Sequence, residues 1–327
     1  MTHVINLQNN KQKHVCLDNW KRQIVDTRDS LYQLKMRRSI VFGAAQSKCD
    51  NRNLCSPIED QADLGSCTAN AFAGLIEFNE NKAAMNKLLM VPTFSTANPA
   101  ITISNISTLA DGTISYLTTV KPASTPAPTP TPTPIKSFID VSRLFTYYAT
   151  RKIEGSTSKD SGASIRDTVK SGYQYGVISE ALYPYTISKF ATNPSTQVWA
   201  EAAKHKIASY HAINDGDLET MKTVLLSGFL IQFGFDVYTY FVSDDMTAKG
   251  ILPLPDLKKE SLLGGHSCLI VGFDDNFSMP DGTKGAFIMR NSWSANWGIK
   301  GYFYMGYNYV DNISLCSDFW VVQSNPF

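Results

Sequence analysis

Residues 55–80 read CSPIEDQADLGSCTANAFAGLIEFNE, and the reading of this stretch decides the fold. Ala69, Phe72, Ala73 and Ile76 recur three and four residues apart, which predicts a helix with one buried face, opened by the step Gly65-Ser66-Cys67. Cys67 then falls in the first turn. Unpaired backbone N–H groups and the positive end of the helix dipole favour an anion there, so the thiol is expected to lean toward its nucleophilic thiolate. Gln61, six residues upstream, can set its side-chain amide beside that sulfur. Such a donor is what a developing oxyanion needs during acyl transfer.

The surrounding chain has 327 residues, 43% of them hydrophobic, with a net charge of +1, which fits a soluble globular protein with one large core or two smaller ones. No nucleic-acid or membrane partner is expected. Lys35, Arg37 and Arg38 make only a short basic cluster, no apolar stretch approaches the roughly 20 residues of a bilayer span, and MTHVINLQNNKQK lacks the apolar centre of a signal peptide. Cysteines stand at 16, 49, 55, 67, 268 and 316. Cys49 and Cys55 flank a polar loop and could close a short disulfide in an oxidising compartment; two reduced thiols fit equally well. Neither CxxC nor HExxH spacing occurs, so no metal and no cofactor are expected.

Residues 1–54 form an N-terminal segment, with a helix-compatible stretch near Cys16 to Ile24 followed by VDTRDSLYQL, and residues 55–327 form the main domain. Between about 90 and 136 periodicity fails. The run Thr125 to Pro134, TPAPTPTPTP, predicts a solvated polyproline strand in an insertion loop, with a ligand for a proline-recognising partner as the other reading. Helices are predicted after Asp140, from about Ser164 to Gly172 and from Asp217 to Gly228; strands over residues 229–238, His266 to Phe273, Gly285 to Asn291, Gly301 to Met305 and Phe319 to Val322. Helices first and strands second predict an α+β protein.

Of five histidines, His266 alone opens a strand pattern, GGHSCLIVGF, and Arg290-Asn291-Ser292-Trp293 is followed by Trp297-Gly298 and Gly301-Tyr302. With residues 61–67 these segments resemble the papain and cathepsin family, whose patterns run Q-x-x-C-G-S-C, G-H-A-V-x-x-V-G-Y and K-N-S-W-G-x-x-W-G-x-x-G-Y; the GSCTA form is most similar to the bacterial branch. The resemblance implies a papain-like two-lobed fold, with a helical left lobe carrying a central helix from Cys67 and an antiparallel, β-barrel-like right lobe. It implies a nucleophile at Cys67, a base at His266, an orienting amide at Asn291 shielded by Trp293, and an oxyanion donor at Gln61. Gly162 is the candidate edge for substrate backbone. Ser267 and the region near Leu315 match positions lining the pocket for the residue one before the cleavage residue, and with no acidic residue evident there an apolar preference follows. The chain departs from the patterns at Ala62 and Ser294, where the family carries glycine, at Leu64, where it carries a disulfide cysteine, and at Thr68, where it usually carries Trp. His266 lies 199 residues after Cys67. Without the roughly 47-residue insertion the interval is about 152, close to the family's 130–150. Cys268 reads as a buried, inert thiol.

The expected function is that of a cysteine endopeptidase acting on a protein or peptide substrate as a monomer, through a covalent acyl-enzyme. The alternatives are a weak or inactive homologue that binds peptides, and an amide hydrolase or acyltransferase on another substrate; Cys67, His266, Asn291 and Gln61 together argue against a mere binder. Residues 1 to about 40 either cover the cleft, as in a zymogen, or pack structurally against the two halves. The resemblance implies a secreted or extracytoplasmic protein.

Overall fold

A computed structural model describes residues 2–17, 20–23, 26, 29–32, 46–90, 101–108, 114–120 and 139–324. Its elements in chain order are β1 (Thr2–Asn6), β2 (Gln12–Cys16), β3 (Lys48–Asp50), α1 (Cys67–Met90), β4 (Ile101–Thr108), β5 (Ile114–Val120), α2 (Arg143–Ile153), α3 (Ile165–Gln174), α4 (Thr196–Ala202), β6 (Ile207–Ile213), α5 (Leu218–Leu226), β7 (Ile231–Tyr238), α6 (Asp244–Lys249), β8 (Ile251–Leu252), β9 (Leu262–Ser278), β10 (Lys284–Arg290), β11 (Tyr302–Gly306), α7 (Tyr307–Val310) and β12 (Cys316–Ser324). The chain divides into two units, residues 1–84 with 138–327 and residues 85–137. Among the described residues no helix is long and apolar enough to cross a membrane.

Side-chain caps start the helices where the sequence places them. Ser142 accepts from the Phe145 amide, Ser164 from that of Asp167 and Asp217 from that of Thr220, each at 3.0–3.1 Å, opening α2, α3 and α5. Each cap contributes about 1 kcal/mol. Two expectations fail. α3 runs past Gly172 to Gln174, because that glycine admits Phe72 of α1: a Cβ there would lie 2.5 Å from the Phe72 ring. And α1 is buried on every face from Thr68 to Phe78, not on one. Its polar positions are absorbed by hydrogen bonds: Thr168 donates to Thr68 Oγ1 at 3.0 Å, Asn70 donates to Ser66, and Glu77 accepts from Ser56 and from the Val141 amide.

Eight strands make one sheet in the order β6-β12-β7-β9-β10-β11-β8, with β3 also on β9; every pair is antiparallel except β11 with β8. β9 pairs first with β7, His266 opposite Phe235, and then with β10, Leu269 opposite Arg290. Its side chains alternate between two cores, with a register shift against β10 between Ile270 and Gly272. Cys268, Ile270 and Phe273 join the cluster of Phe233, Phe235, Phe287 and Met289, while Leu269 and Val271 meet Phe72 and Ile76 of α1. Both faces are covered, which is why the strand reads as an unbroken apolar run.

In the stretch Cys16 to Ile24, Cys16 ends a strand and the other described residues, 17 and 20–23, are not helical. β1 and β2 form an antiparallel hairpin, Thr2 opposite Cys16, whose Ile5 and Val15, with Leu17 beyond it, turn inward onto the sheet core. Cys49 and Cys55 are separate thiols, the second of the two readings: Cys49 donates to the Leu225 carbonyl and Cys55 to that of Asn51. Within the aperiodic interval, β4 and β5 pair as an antiparallel hairpin. The run Thr125 to Pro134 lies outside the described residues.

Ala62 and Ser294, the two residues standing where glycine was expected, hold left-handed backbone at φ 50° and 72°. An L-residue there costs about 1–2 kcal/mol, partly offset because glycine loses more freedom on folding. Ala62→Gly and Ser294→Gly should therefore each raise stability by about 0.5–1 kcal/mol, measured as a rise in denaturation midpoint with an unchanged slope.

Candidate active site

The loop before α1 is held rigidly. The Gln61 amide donates to the Ser292 carbonyl at 3.0 Å, and the Gly65 amide donates to the Asp160 carboxylate. The Ser66 and Tyr185 hydroxyls meet at 2.5 Å. Gln61 is itself buried: Ser292 Oγ donates to its Oε1 at 2.7 Å, which orients the amide, and its Nε2 donates to the Leu64 carbonyl. Cys67, the first residue of α1, is completely buried.

His266 on β9 and Asn291 just after β10 are brought together by strand register, with His266 Nε2 and Asn291 Oδ1 2.8 Å apart. The Ser292 amide donates to the same oxygen at 2.8 Å, which fixes that atom as the acceptor. Nε2 therefore carries the proton and Nδ1 is the bare nitrogen; Nδ1 is buried and has no hydrogen-bond partner among the described residues. The Cys268 thiol lies 3.7 Å from Asn291 Oδ1, inert and pushed well above its ordinary pKa by burial. Trp293 stacks obliquely 5.0 Å from the imidazole, backed by Phe241 and Trp297.

This enclosure reverses one expectation. Burial pushes the Cys67 thiol up to about 12, and the opposing hydrogen bond from the Ser267 backbone does not overcome it. Burial likewise pushes His266 down to about 4; the Asn291 bond opposes this, and the nearby Lys13 ammonium adds to it. At neutral pH both groups are uncharged.

Part of the enclosure comes from the N-terminal segment. Leu17 accepts from the Gly265 amide at 2.6 Å, one residue from His266. Trp20 bridges to Ala163, and the Lys21 amide donates to the Ala163 carbonyl at 3.2 Å. Gly162, the candidate edge, has φ 65° and gives its amide to the Tyr147 hydroxyl instead. Lys13 pairs with Asp60, the neighbour of Gln61, and Gln8 donates to the Gly298 carbonyl at 2.8 Å. Gln8, Lys13, Leu17, Trp20 and Lys21 thus touch both halves of the chain around His266 and Gln61. Ser267 and Trp293 are fully buried.

Three contributors escaped the sequence reading. Gln232 of β7 donates to the Thr68 carbonyl at 2.9 Å and to Ser267 Oγ at 3.3 Å, tying the start of α1 to the histidine strand. A lone glutamine inside the apolar run FLIQFGF was the available signal. Ser292 orients two side chains, Gln61 and Asn291. The third is Asp318, buried three residues from Leu315, where no acid was expected; its carboxylate accepts from Trp20 Nε1 at 2.8 Å and is pushed up to about 7 by burial. Among the described residues one trio, Glu59, Glu77 and Asp140, has carboxylate oxygens within 4.8 Å of one another. Glu59 is paired with Arg143 at 2.7 Å, and both Glu77 oxygens accept hydrogen bonds, so these donors serve the fold.

A family model described as papain family cysteine protease matches residues 156–319. An uncharacterized peptidase C1-like protein of Acanthamoeba polyphaga mimivirus is 42% identical over 189 residues, covering 56% of this chain and 58% of that protein. Pro-cathepsin H of Bos taurus is 28% identical over 131 residues, covering 40% of this chain and 36% of its own length. The match thus spans less than two thirds of these curated relatives. Among solved structures, xylellain, a cysteine protease from Xylella fastidiosa, superposes with a TM-score of 0.69 at 29% identity, covering 99% of both chains. Bromelain from Ananas comosus, solved with the E64 inhibitor, gives a TM-score of 0.52 at 15% identity over 86% of this chain and 100% of its own, a likeness of fold alone. With half of its length matched by the family model and the papain-like architecture running through the rest of the described sheet and helices, the chain belongs to the papain family of cysteine proteases.

Proposed function

We propose that the protein is a cysteine endopeptidase whose N-terminal residues hold it latent. The observation that carries the catalytic reading is the buried, bare Nδ1 of an imidazole whose tautomer is locked by Asn291. In the open state His266 Nδ1 takes the Cys67 proton, and the thiolate adds to the substrate carbonyl. The Gln61 amide and the Cys67 backbone N–H hold the oxyanion. The imidazolium then gives its proton to the departing amine, and water, activated by the same nitrogen, releases the acid and restores the thiol. Asn291 keeps the ring oriented and Trp293 keeps water from that bond.

Latency is supported by what the segment contributes: a backbone bond beside His266, an ammonium that disfavours the imidazolium, and an indole laid against the histidine strand. Each opposes the ion pair that the chemistry needs.

Cys67→Ser and His266→Ala should each lower hydrolysis of peptide amides by on the order of 10³-fold or more, because the two act as a unit, while Asn291→Ala keeps reduced but measurable turnover. Wild-type turnover by the serine variant would remove the reading.

Removing the anchors should open the cleft. In the full chain, Trp20→Ala and Lys13→Ala should each speed alkylation of Cys67 by a peptidyl epoxide by at least about tenfold, since a buried tryptophan alone contributes about 3 kcal/mol or more. Unchanged labelling rates would sink the inhibitory role.

The depressed histidine also predicts acid sensitivity. Its folded pKa of about 4 lies below its ordinary 6.5, so the neutral form stabilises the fold fully above 6.5, and that stability is lost as pH falls toward 4. Wild type should lose about 2–3 kcal/mol more than His266→Gln between about pH 7 and pH 4.5. Equal losses in the two melts would show that the imidazole is not the group titrating.

A further inference from the structure

Gln232 lies in β7 between β9 and β12, with Leu269 opposite it on one side and Trp320 on the other. Cross-strand partners share a face, and on this face Leu269 and Trp320 join Phe72 and Ile76 of α1 in one apolar core. Into that layer the chain sets an amide with none of its surface exposed. Its Nε2 carries two hydrogens and meets two acceptors, the Thr68 carbonyl at 2.9 Å and Ser267 Oγ at 3.3 Å, while its Oε1 has no hydrogen-bond partner among the described residues. Such a side chain serves the fold poorly. An unpaired buried acceptor costs stability that an apolar residue of the same size would keep.

What the amide holds is one residue from the chemistry on each side. Thr68 follows Cys67 in the first turn of α1, and Ser267 follows His266 in β9. The Ser267 backbone N–H in turn bonds the Cys67 thiol. Thr68 stands where the family usually carries tryptophan, and its hydroxyl accepts from Thr168 at 3.0 Å, so polar bonds from α3 and from β7 both fix the start of α1. Passing a proton from sulfur to imidazole requires the two groups within hydrogen-bond reach, and a small misplacement there is costly in rate. A drift of the turn away from the strand therefore harms the reaction before it harms the fold.

We infer that Gln232 is a positioning residue of the reaction: by donating to the Thr68 carbonyl and to Ser267 Oγ, it holds the turn of Cys67 and the strand of His266 at the separation that lets the thiol proton pass to the imidazole. It touches no reacting atom. Its Oε1 is left unpaired because the amide is kept for its two donations. This rests on the proposed peptidase function.

The test uses the full chain carrying Trp20→Ala, with and without Gln232→Met, which fills a similar volume and donates nothing. Turnover of a peptide amide gives kcat and KM, and alkylation of Cys67 by iodoacetamide, followed on its own peptide by mass spectrometry, is timed at about pH 6.5 and about pH 9.5. Gln232→Met should lower kcat at least about tenfold with KM within about twofold. It should also slow alkylation at the lower pH at least about tenfold, while the rate at the higher pH, where hydroxide can take the proton, stays within about threefold. Gln232→Asn keeps a buried amide that is one methylene too short to meet both acceptors; it should show the same losses, and it decides if the methionine variant does not fold. A merely structural glutamine would lower the denaturation midpoint and leave kcat and the alkylation ratio unmoved. That result overturns the inference, as do an equal loss at the two pH values, a rise in KM with kcat unchanged, or failure of both variants to fold. Because alkylation needs no substrate, a Trp20→Ala chain that is alkylated at the lower pH with the help of His266 and yet hydrolyses no peptide amide would overturn the peptidase reading and leave Gln232 to the alkylation ratio. Absence of His266-dependent alkylation as well would overturn both.

Discussion

The structure depends on one buried cation. Arg290, at the end of β10, donates to the Ser56 carbonyl at 2.6 Å, to Ser56 Oγ at 3.0 Å and to the Pro57 carbonyl at 2.7 Å, with only 4% of the residue exposed. Ser56 passes the network to Glu77 in the middle of α1, and Glu77 takes the amide of Val141 ahead of α2. A guanidinium in such a place is tolerable only with every donor satisfied, and losing a partner leaves a charge that costs several kcal/mol. The sheet, the helical half and the loop leading to Gln61 are therefore all tied to this one side chain. Asn291 is the next residue, so the same constraint sets where the imidazole's partner stands.

The polar centre around that constraint is assembled from bonds too short-ranged to be adjustable. Ser292 serves two masters, orienting Gln61 through its hydroxyl and Asn291 through its amide. Gln232 joins the first turn of α1 to the strand of His266. With aromatic rings on the other side of the imidazole, the local dielectric is low, and the thiol and imidazole both stay neutral beneath the N-terminal layer. Low dielectric raises the cost of separating charge between the thiol and the imidazole.

What could be read in the sequence was what depends on neighbours in the chain. Capping serines and Asp217 marked the helix starts, and the strand around His266 and the Asn291-Ser292-Trp293 run showed where β9 and β10 meet. What could not be read depends on partners far away in sequence. Gly172 looks like a stop and is a seat for Phe72. Thr68, Asn70 and Glu77 look like the wet face of an amphipathic helix and are buried: Thr168, 100 positions on, and Val141, 64 positions on, complete the bonds of Thr68 and Glu77, and Ser66 takes that of Asn70. Residues 12–16 carry too few apolar side chains to announce a strand, and only the sheet core beneath Val15 makes them one. The first-turn thiol was expected near its thiolate because dipoles are local, whereas burial, which wins, comes from other segments.

The N-terminal residues are joined covalently to the rest of the chain, and that connection has a kinetic meaning. An occupant on a tether is present at an effective concentration of order millimolar, however dilute the protein, so weak contacts keep it seated and a soluble competitor must reach comparable levels to displace it. Cutting the tether would leave every contact of Leu17, Trp20 and Lys13 unchanged and yet convert reclosure from a first-order to a second-order event. A nicked chain would then open on dilution and close again on concentration. On the proposed reading, latency would reside in chain connectivity as much as in the contacts themselves.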